Sequence, residues 1–233
     1  INSLEQKIEG LKKLKLDFLR VIKFDRKFSK LSPENFIKEI IYKNLNSKYI
    51  FVSKNFRFGR NRAGNIQTLK KNENNFSFKT IITKPYKKDN KIISSSKIRN
   101  YLSQGDLKKV KNFLGRSWCV SGKVIKGKKR GRKIGFPTCN IKLGDYALPK
   151  LGVYAVKVKT RKFTKKGIAN IGYRPTFNGR DLLLEVNLFG IKANLYKKVI
   201  NISFIKFIRG EKKFKSINKL KIQIKKDIKK AKD

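Results

Sequence analysis

Apolar positions in the first hundred residues recur with two alternating periods. Leu4, Ile8 and Leu11 fall on one helical face, and Ser3 with Gln6 forms a capping-box pattern ahead of them. Phe18 to Phe24 is a short apolar run that predicts a buried strand. Ser32-Pro33-Glu34 marks a helix start, with a capping hydroxyl, a proline in the first turn and then an acid. Phe36, Ile37, Ile40 and Ile41 give that helix its apolar face. Tyr49 to Val52 and Phe76 to Ile82 predict further strands, separated by the Gly-, Asn- and Arg-rich loop NFRFGRNRAGN at 55–65. This alternation predicts an α/β layer with parallel strands. Ser94 or Ser95 can cap a helix running through Ile98 and Leu102. Gly105-Asp106 interrupts it, and a short helix then ends at Leu114 before Gly115.

From Trp118 the pattern changes. Val120–Ile125, Val153–Val158, Ile168–Ile171, Leu182–Phe189 and Val199–Phe207 are short β-branched and aromatic runs separated by Gly, Pro and Asn. That spacing predicts an antiparallel sandwich or small barrel. A final helix from about Ser216 places Ile217, Leu220, Ile224 and Ile228 on its buried face. The boundary between the two patterns falls near Phe113–Trp118, giving domains at 1–113 and 114–233.

Composition narrows the options. With 39% hydrophobic residues in 233, a packed core is expected and disorder is not. No apolar run reaches the length of a membrane span. Two cysteines, Cys119 and Cys139, follow no metal spacing and point to a reducing cytoplasm. There is no His, which excludes His-based catalysis, and no Met. The chain opens on Ile1 inside a helical pattern, which reads as an N-terminally incomplete piece of a longer protein. The balance of 61 basic to 15 acidic residues suggests a non-enzymatic nucleic-acid binder as an alternative. Against it, 48 of the basic residues are Lys, spread along the chain, whereas phosphate and base readers lean on Arg.

Three segments could carry chemistry. In GKKRGRKIGFPTCN (127–140), three glycines lie among Lys128, Lys129, Arg130, Arg132 and Lys133. Such a loop can approach phosphate closely and neutralise it. Thr138 and Asn140 alternate across Cys139, so on a strand both point to one side. A hydroxyl and an amide oxygen suit Mg²⁺ already held by phosphates, or they simply satisfy a turn. In LLLEVNLF (182–189), period two puts Glu185 with Leu183 and Asn187, opposite Leu182, Leu184 and Val186. A carboxylate there is ion-paired, hydrogen-bonded or used as a general base. ISSSKIR (93–99) offers hydroxyls at a helix start beside Lys97 and Arg99, where capping or anion binding are both open.

In order, NFRFGRNRAGN, ISSSKIRNYLSQGDLKKVKNFLGRSW, VSGKVIKGKKRGRKIGFPTCNI, GVYAV, GIANIGYRPTF, LLLEVNLF and FIKFIRGEKKF resemble the bacterial bifunctional riboflavin kinase/FMN adenylyltransferases along the whole chain. The resemblance implies a C-terminal kinase built as a six-stranded Greek-key barrel with a terminal helix. It phosphorylates the 5′-hydroxyl of riboflavin with ATP and Mg²⁺ to give FMN. It further implies that Thr138 and Asn140 contact metal and nucleotide, that Glu185 is the base, and that Gly131, Gly135 and Phe136 cradle the nucleotide. Arg209 is a candidate flavin contact. The N-terminal part resembles a doubly wound nucleotidyltransferase that turns FMN into FAD. There Asn55, Ser95, Ser96 and Arg99 would meet ATP. The family's H-x-G-H motif is absent from this chain, so FAD formation is expected of a full-length member and not of these residues. Small-molecule substrates are implied, without membrane or nucleic acid. In the kinase part Lys128 stands where an acid is common, Cys139 replaces Ala and Asn187 replaces His.

Overall fold

The computed structural model describes the chain except residues 128, 177, 178 and 192, and except the side chains of residues 174–181. The chain forms two compact units, one of residues 17–92 and the other of residues 1–16 together with 93–233.

The smaller unit is an α/β layer. Helices α2 (Arg26–Ser29) and α3 (Pro33–Asn35) start at Asp25 and Ser32, whose side chains accept the Phe28 and Asn35 amides. The chain continues from α3 as a wide π-type helix, Phe36–Asn44, that buries Ile37 and Ile41. Strands β1 (Tyr49–Ser53) and β2 (Lys79–Thr83) pair in parallel, as the alternation predicts. Helix α4 (Ile66–Lys71) is capped by Asn65 and buries Leu69. A small hairpin of β3 (Lys87–Lys88) and β4 (Lys91–Ile92) ends the unit. The core is Ile37, Ile41, Val52, Phe58, Leu69 and Phe78.

One expectation fails here. Residues 18–24 form no strand; Phe18 is 92% exposed and Phe24 77%. The run has the right residues, but a strand needs a neighbour to pair its backbone. Among the described residues, β1 and β2 pair only with each other.

The larger unit is built on six antiparallel strands: β5 (Cys119–Lys123), β6 (Cys139–Lys142), β7 (Gly152–Lys159), β8 (Thr164–Thr176), β9 (Gly179–Leu188) and β10 (Val199–Arg209). Their order is β5-β10-β7-β8-β9-β6. The meander β7-β8-β9, with β10 returning beside β7, is a Greek key. The two edge strands meet where the Ile125 amide donates to the Asn140 carbonyl at 2.9 Å, which nearly closes the barrel. Alternation along each strand sends Val120, Ile141, Tyr154, Val156, Ala169, Ile171, Leu184, Val186, Ile202 and Phe204 inside. Four residues of β6 suffice for a strand, because Ile141 faces the core while Asn140 and Lys142 face out.

Helix α1 (Leu4–Lys12) has the expected Ser3/Gln6 capping box. The Gln6 side chain also donates to the Cys119 carbonyl, and the Trp118 indole donates to that of Ile1. Helices α5 (Ser95–Gln104) and α6 (Leu107–Leu114) are joined at Gly105, whose φ of 76° is left-handed. Ile98, Leu102, Leu107, Val110 and Phe113 from these helices lie in the same core as the barrel.

Helix α8 (Ile217–Lys232), capped by Ser216, packs on the outer face of the sheet, where Val153, Ala155, Ile168 and Ala231 form a second cluster. Of the expected stripe, Leu220, Ile224 and Ile228 are partly buried and Ile228 packs on that cluster, whereas Ile217 at the helix start is 61% exposed. Asp227 lies on the same side at 2% exposure, where Arg209 of β10 bonds it at 2.9 and 2.7 Å.

Candidate active site

Register brings the expected kinase residues together. Asn140 on β6 lies directly across from Glu185 on β9, and Glu185 lies directly across from Asn170 on β8. Directly opposed residues share a face with Cβ atoms about 5 Å apart. The row continues through Val153 of β7 to Arg209 of β10. It runs along the outer face of the barrel, because the neighbours of each polar member point into the core: Ile141, Leu184, Val186, Ala169 and Ile171. The period-two reading of LLLEVNLF is thus borne out, with Leu184 and Val186 fully buried and Glu185 half-buried.

The glycine-rich segment covers one end of this row. After β5 the chain passes over Asn140, where a Cβ placed on Gly127 would sit 2.3 Å from the Asn140 Nδ2. It then forms one turn of helix, α7 (Arg130–Lys133), entered through Lys129 in the left-handed region. Gly131 folds back onto the end of the segment. Its carbonyl accepts the Phe136 amide at 2.8 Å, and a Cβ there would lie 2.4 Å from the Phe136 carbonyl and 3.4 Å from the Thr138 Oγ1. Gly135 turns the chain at φ +89° in open surroundings. Gly127 and Gly131 are therefore required by close approach to Asn140, Phe136 and Thr138. Lys129, Arg130, Arg132 and Lys133 stay exposed around the loop. Lys128 lies outside the described residues, as do the side chains of the Arg-Pro-Thr-Phe part of the GIANIGYRPTF block.

Asn187, two residues beyond Glu185 on the same face, donates from Nδ2 to the Pro137 carbonyl at 2.7 Å. It ties the Phe136-Pro137-Thr138 segment to β9. Sequence reasoning noted the residue only as a replacement for His, because a clamp on a backbone carbonyl leaves no pattern to read. At the other end of the row, every nitrogen of Arg209 is engaged. Nε and Nη2 hold Asp227, and Nη1 donates to the Gly210 carbonyl at 2.8 Å. Gln223 donates to the second Asp227 oxygen at 2.7 Å. The Arg209 guanidinium also lies over the Phe214 ring at 5.8 Å. Burial pushes the Cys139 thiol above its ordinary value, which keeps it a neutral neighbour of Thr138 and Asn140.

The site suits phosphoryl transfer. A carboxylate faces outward between two amides, and a glycine loop ringed by cations closes over one of them. The loop and its flanking side chains form one half of the site, and the β9 row forms the other. For Mg²⁺, the available donors are the Thr138 hydroxyl and the Asn140 amide oxygen, neutral oxygens held against Gly131 and Gly127. No group of three His, Cys, Asp or Glu able to hold a bare metal ion occurs among the described residues. A magnesium ion that brings most of its ligands as phosphate oxygens fits this donor set.

The adenylyltransferase candidates divide between the units. Asn55 lies in the smaller one, lining an open cleft of about 490 Å³ with Lys54, Phe56, Arg57, Arg62 and Asn65. Phe56 stacks on Phe58, which is clamped by reciprocal backbone bonds with Gly64. Ser95, Ser96 and Arg99 are exposed on the first turns of α5 in the larger unit, where Ser94 provides the cap by accepting the Lys97 amide.

Known proteins resemble both parts of the chain. The riboflavin kinase family model matches residues 114–233, and the FAD synthetase family model matches residues 1–97. A bifunctional riboflavin kinase/FMN adenylyltransferase of Haemophilus influenzae is 40% identical over 230 residues, 98% of this chain and 75% of that protein. Its counterpart in Buchnera aphidicola subsp. Schizaphis graminum is 43% identical over 98% of this chain and 74% of the relative. A solved structure described as a macrolide-efflux protein from Streptococcus pneumoniae superposes with a TM-score of 0.83. It shares 30% identity, covering 99% of this chain and 75% of that one.

Proposed function

Because the chain belongs to the bifunctional riboflavin kinase/FMN adenylyltransferase family, we propose that residues 114–233 transfer the γ-phosphoryl group of ATP to the riboflavin 5′-hydroxyl through the row Asn140–Glu185. Residues 1–113 are the adenylyltransferase-like module, a division by chemistry that differs from the division by packing. The observation that carries the reading is the register of β6 on β9. It sets the proposed base directly opposite the proposed metal and nucleotide contact, beneath the glycine loop.

In the mechanism, Gly131, Gly135 and Phe136 shape the loop that receives the nucleotide, and the surrounding cations offset the charge of its phosphates. Thr138 and Asn140 would hold Mg²⁺, which would supply charge neutralisation at the transferred group. Glu185 orients the acceptor hydroxyl and takes its proton as the oxygen attacks phosphorus. Positioning of hydroxyl and γ-phosphate in line supplies much of the remaining acceleration. Arg209 acts at the flavin end by holding the start of the 210–214 segment in place through Asp227 and Gly210. We place the enzyme in the cytoplasm, where Cys119 and Cys139 stay as the free thiols seen here.

The adenylyltransferase module carries Asn55, Ser95, Ser96 and Arg99, the residues that would meet ATP when FMN is adenylylated to FAD. No described helix is long and apolar enough to cross a membrane.

The test is FMN formation from riboflavin, ATP and Mg²⁺. Replacing Glu185 by Gln lowers kcat by about 10²–10⁴-fold with thermal stability unchanged. An undiminished kcat removes Glu185 from the mechanism. Salt-sensitive nucleic-acid binding without any FMN formation would favour the alternative.

A further inference from the structure

The polar row across the barrel has three members with outward-facing side chains between its two covers: Asn140, Glu185 and Asn170. Asn140 is 8% exposed beneath Gly127. At the opposite end, Val153 is buried under α8 at 6% exposure, and Arg209 is tied to that helix. Glu185 and Asn170 are the half-buried middle of the row, between the glycine loop and the helix. An acceptor presented to Glu185 from this opening must also lie over Asn170, because the two residues are register partners on one face.

Asn170 has no packing reason to be an amide. Its neighbours along β8, Ala169 and Ile171, carry the core contacts at 1% and 0% exposure. A carboxamide donates and accepts at once, which matches a hydroxyl that must do both. The acceptor in the reading above carries further hydroxyls next to the one that is phosphorylated.

We propose that Asn170 is a specificity residue of the kinase: its amide hydrogen-bonds the polyol chain of the acceptor at the hydroxyl neighbouring the one that Glu185 faces. The inference rests on the kinase reading, and the controls keep the two apart. FMN formation by the wild type, and its loss in Glu185→Gln, test the reading alone.

The experiment compares riboflavin with its 4′-deoxy analogue in wild type and in Asn170→Ala. With riboflavin, Asn170→Ala lowers kcat/KM about 10- to 100-fold, as expected when a site built to bond a hydroxyl loses its partner. With the 4′-deoxy analogue the wild type is already impaired by a similar factor, and the substitution changes little further. Equal losses on both substrates, or none on either, overturn the proposal. Asn170→Asp, nearly isosteric and so safe for folding, keeps an acceptor oxygen and loses the amide donor. It should narrow the kcat/KM ratio between the two substrates, and an unchanged ratio in an active Asn170→Asp enzyme also overturns the proposal.

Discussion

Gly127→Ala adds a single methyl group at the place where the glycine loop crosses Asn140. The new Cβ would start 2.3 Å from Nδ2 and 2.8 Å from Cγ of Asn140. Restoring an ordinary contact of 3.4 Å requires about 1.1 Å of movement. Asn140 cannot easily give way, because it is buried and its carbonyl holds the Ile125 amide that closes the barrel. The loop must therefore lift. A displacement of about 1 Å in a positioning element costs on the order of 10²-fold in rate. FMN formation measured against ATP concentration should show that loss in kcat/KM for ATP, with riboflavin binding little changed. The double variant Gly127→Ala/Asn140→Ala should be no slower than Asn140→Ala alone, since the obstacle is gone. Gly10→Ala in the exposed helix α1 has nothing within 4 Å of the new methyl and is the control. It should leave activity intact and stabilise the helix by about 0.5–1 kcal/mol. Wild-type kinetics in Gly127→Ala would falsify the placement of the loop over Asn140.

Three further outcomes follow from packing and burial. Asp227→Ala strands the buried Arg209 charge and should cost about 3–5 kcal/mol in urea unfolding, whereas replacing both partners with apolar residues of similar volume should cost far less. The Cys119 and Cys139 thiols are pushed above 9.0 by burial, so both should alkylate at pH 8 more slowly than in the urea-unfolded chain. The sign of the linkage follows: the folded state holds these protons longer, so their contribution to stability is complete below pH 9 and declines as the pH rises further, as pH-dependent urea midpoints would record. A fragment beginning at residue 114 should unfold at lower urea than one beginning at residue 93, because it lacks the buried Ile98, Leu102, Leu107, Val110 and Phe113.

Most of the barrel was legible because alternation is a local signal. Glu185 could be assigned to its face from Leu184 and Val186 alone. Its partners could not, since Asn140 and Asn170 are separated from it by 45 and 15 residues and come together only through strand register. Residues 18–24 carry every local mark of a strand and still form none, for pairing is a property of the neighbour. On α8, Leu220, Ile224 and Ile228 mark the packed side as periodicity expects, but periodicity does not reveal that Asp227, on the same side, is the most buried charge on the helix, because its ion pair with Arg209 is long-range. Asn187 illustrates the same limit, because its role depends on a carbonyl 50 residues away.

Helix α5 serves two masters with different residues. Its buried residues, Ile98 and Leu102, belong to the core shared with the barrel, while the exposed Ser95, Ser96 and Arg99 are the ones proposed for adenylyl transfer. The two sets are therefore exposed to different selection. In a lineage that keeps phosphorylation and abandons adenylylation, the helix cannot be deleted, because the surviving enzyme needs it to fold. Only its exposed residues are released from constraint. Such a lineage should preserve Ile98 and Leu102 while the serines and arginine drift, so that α5 records in about two turns of helix which of the two activities was lost.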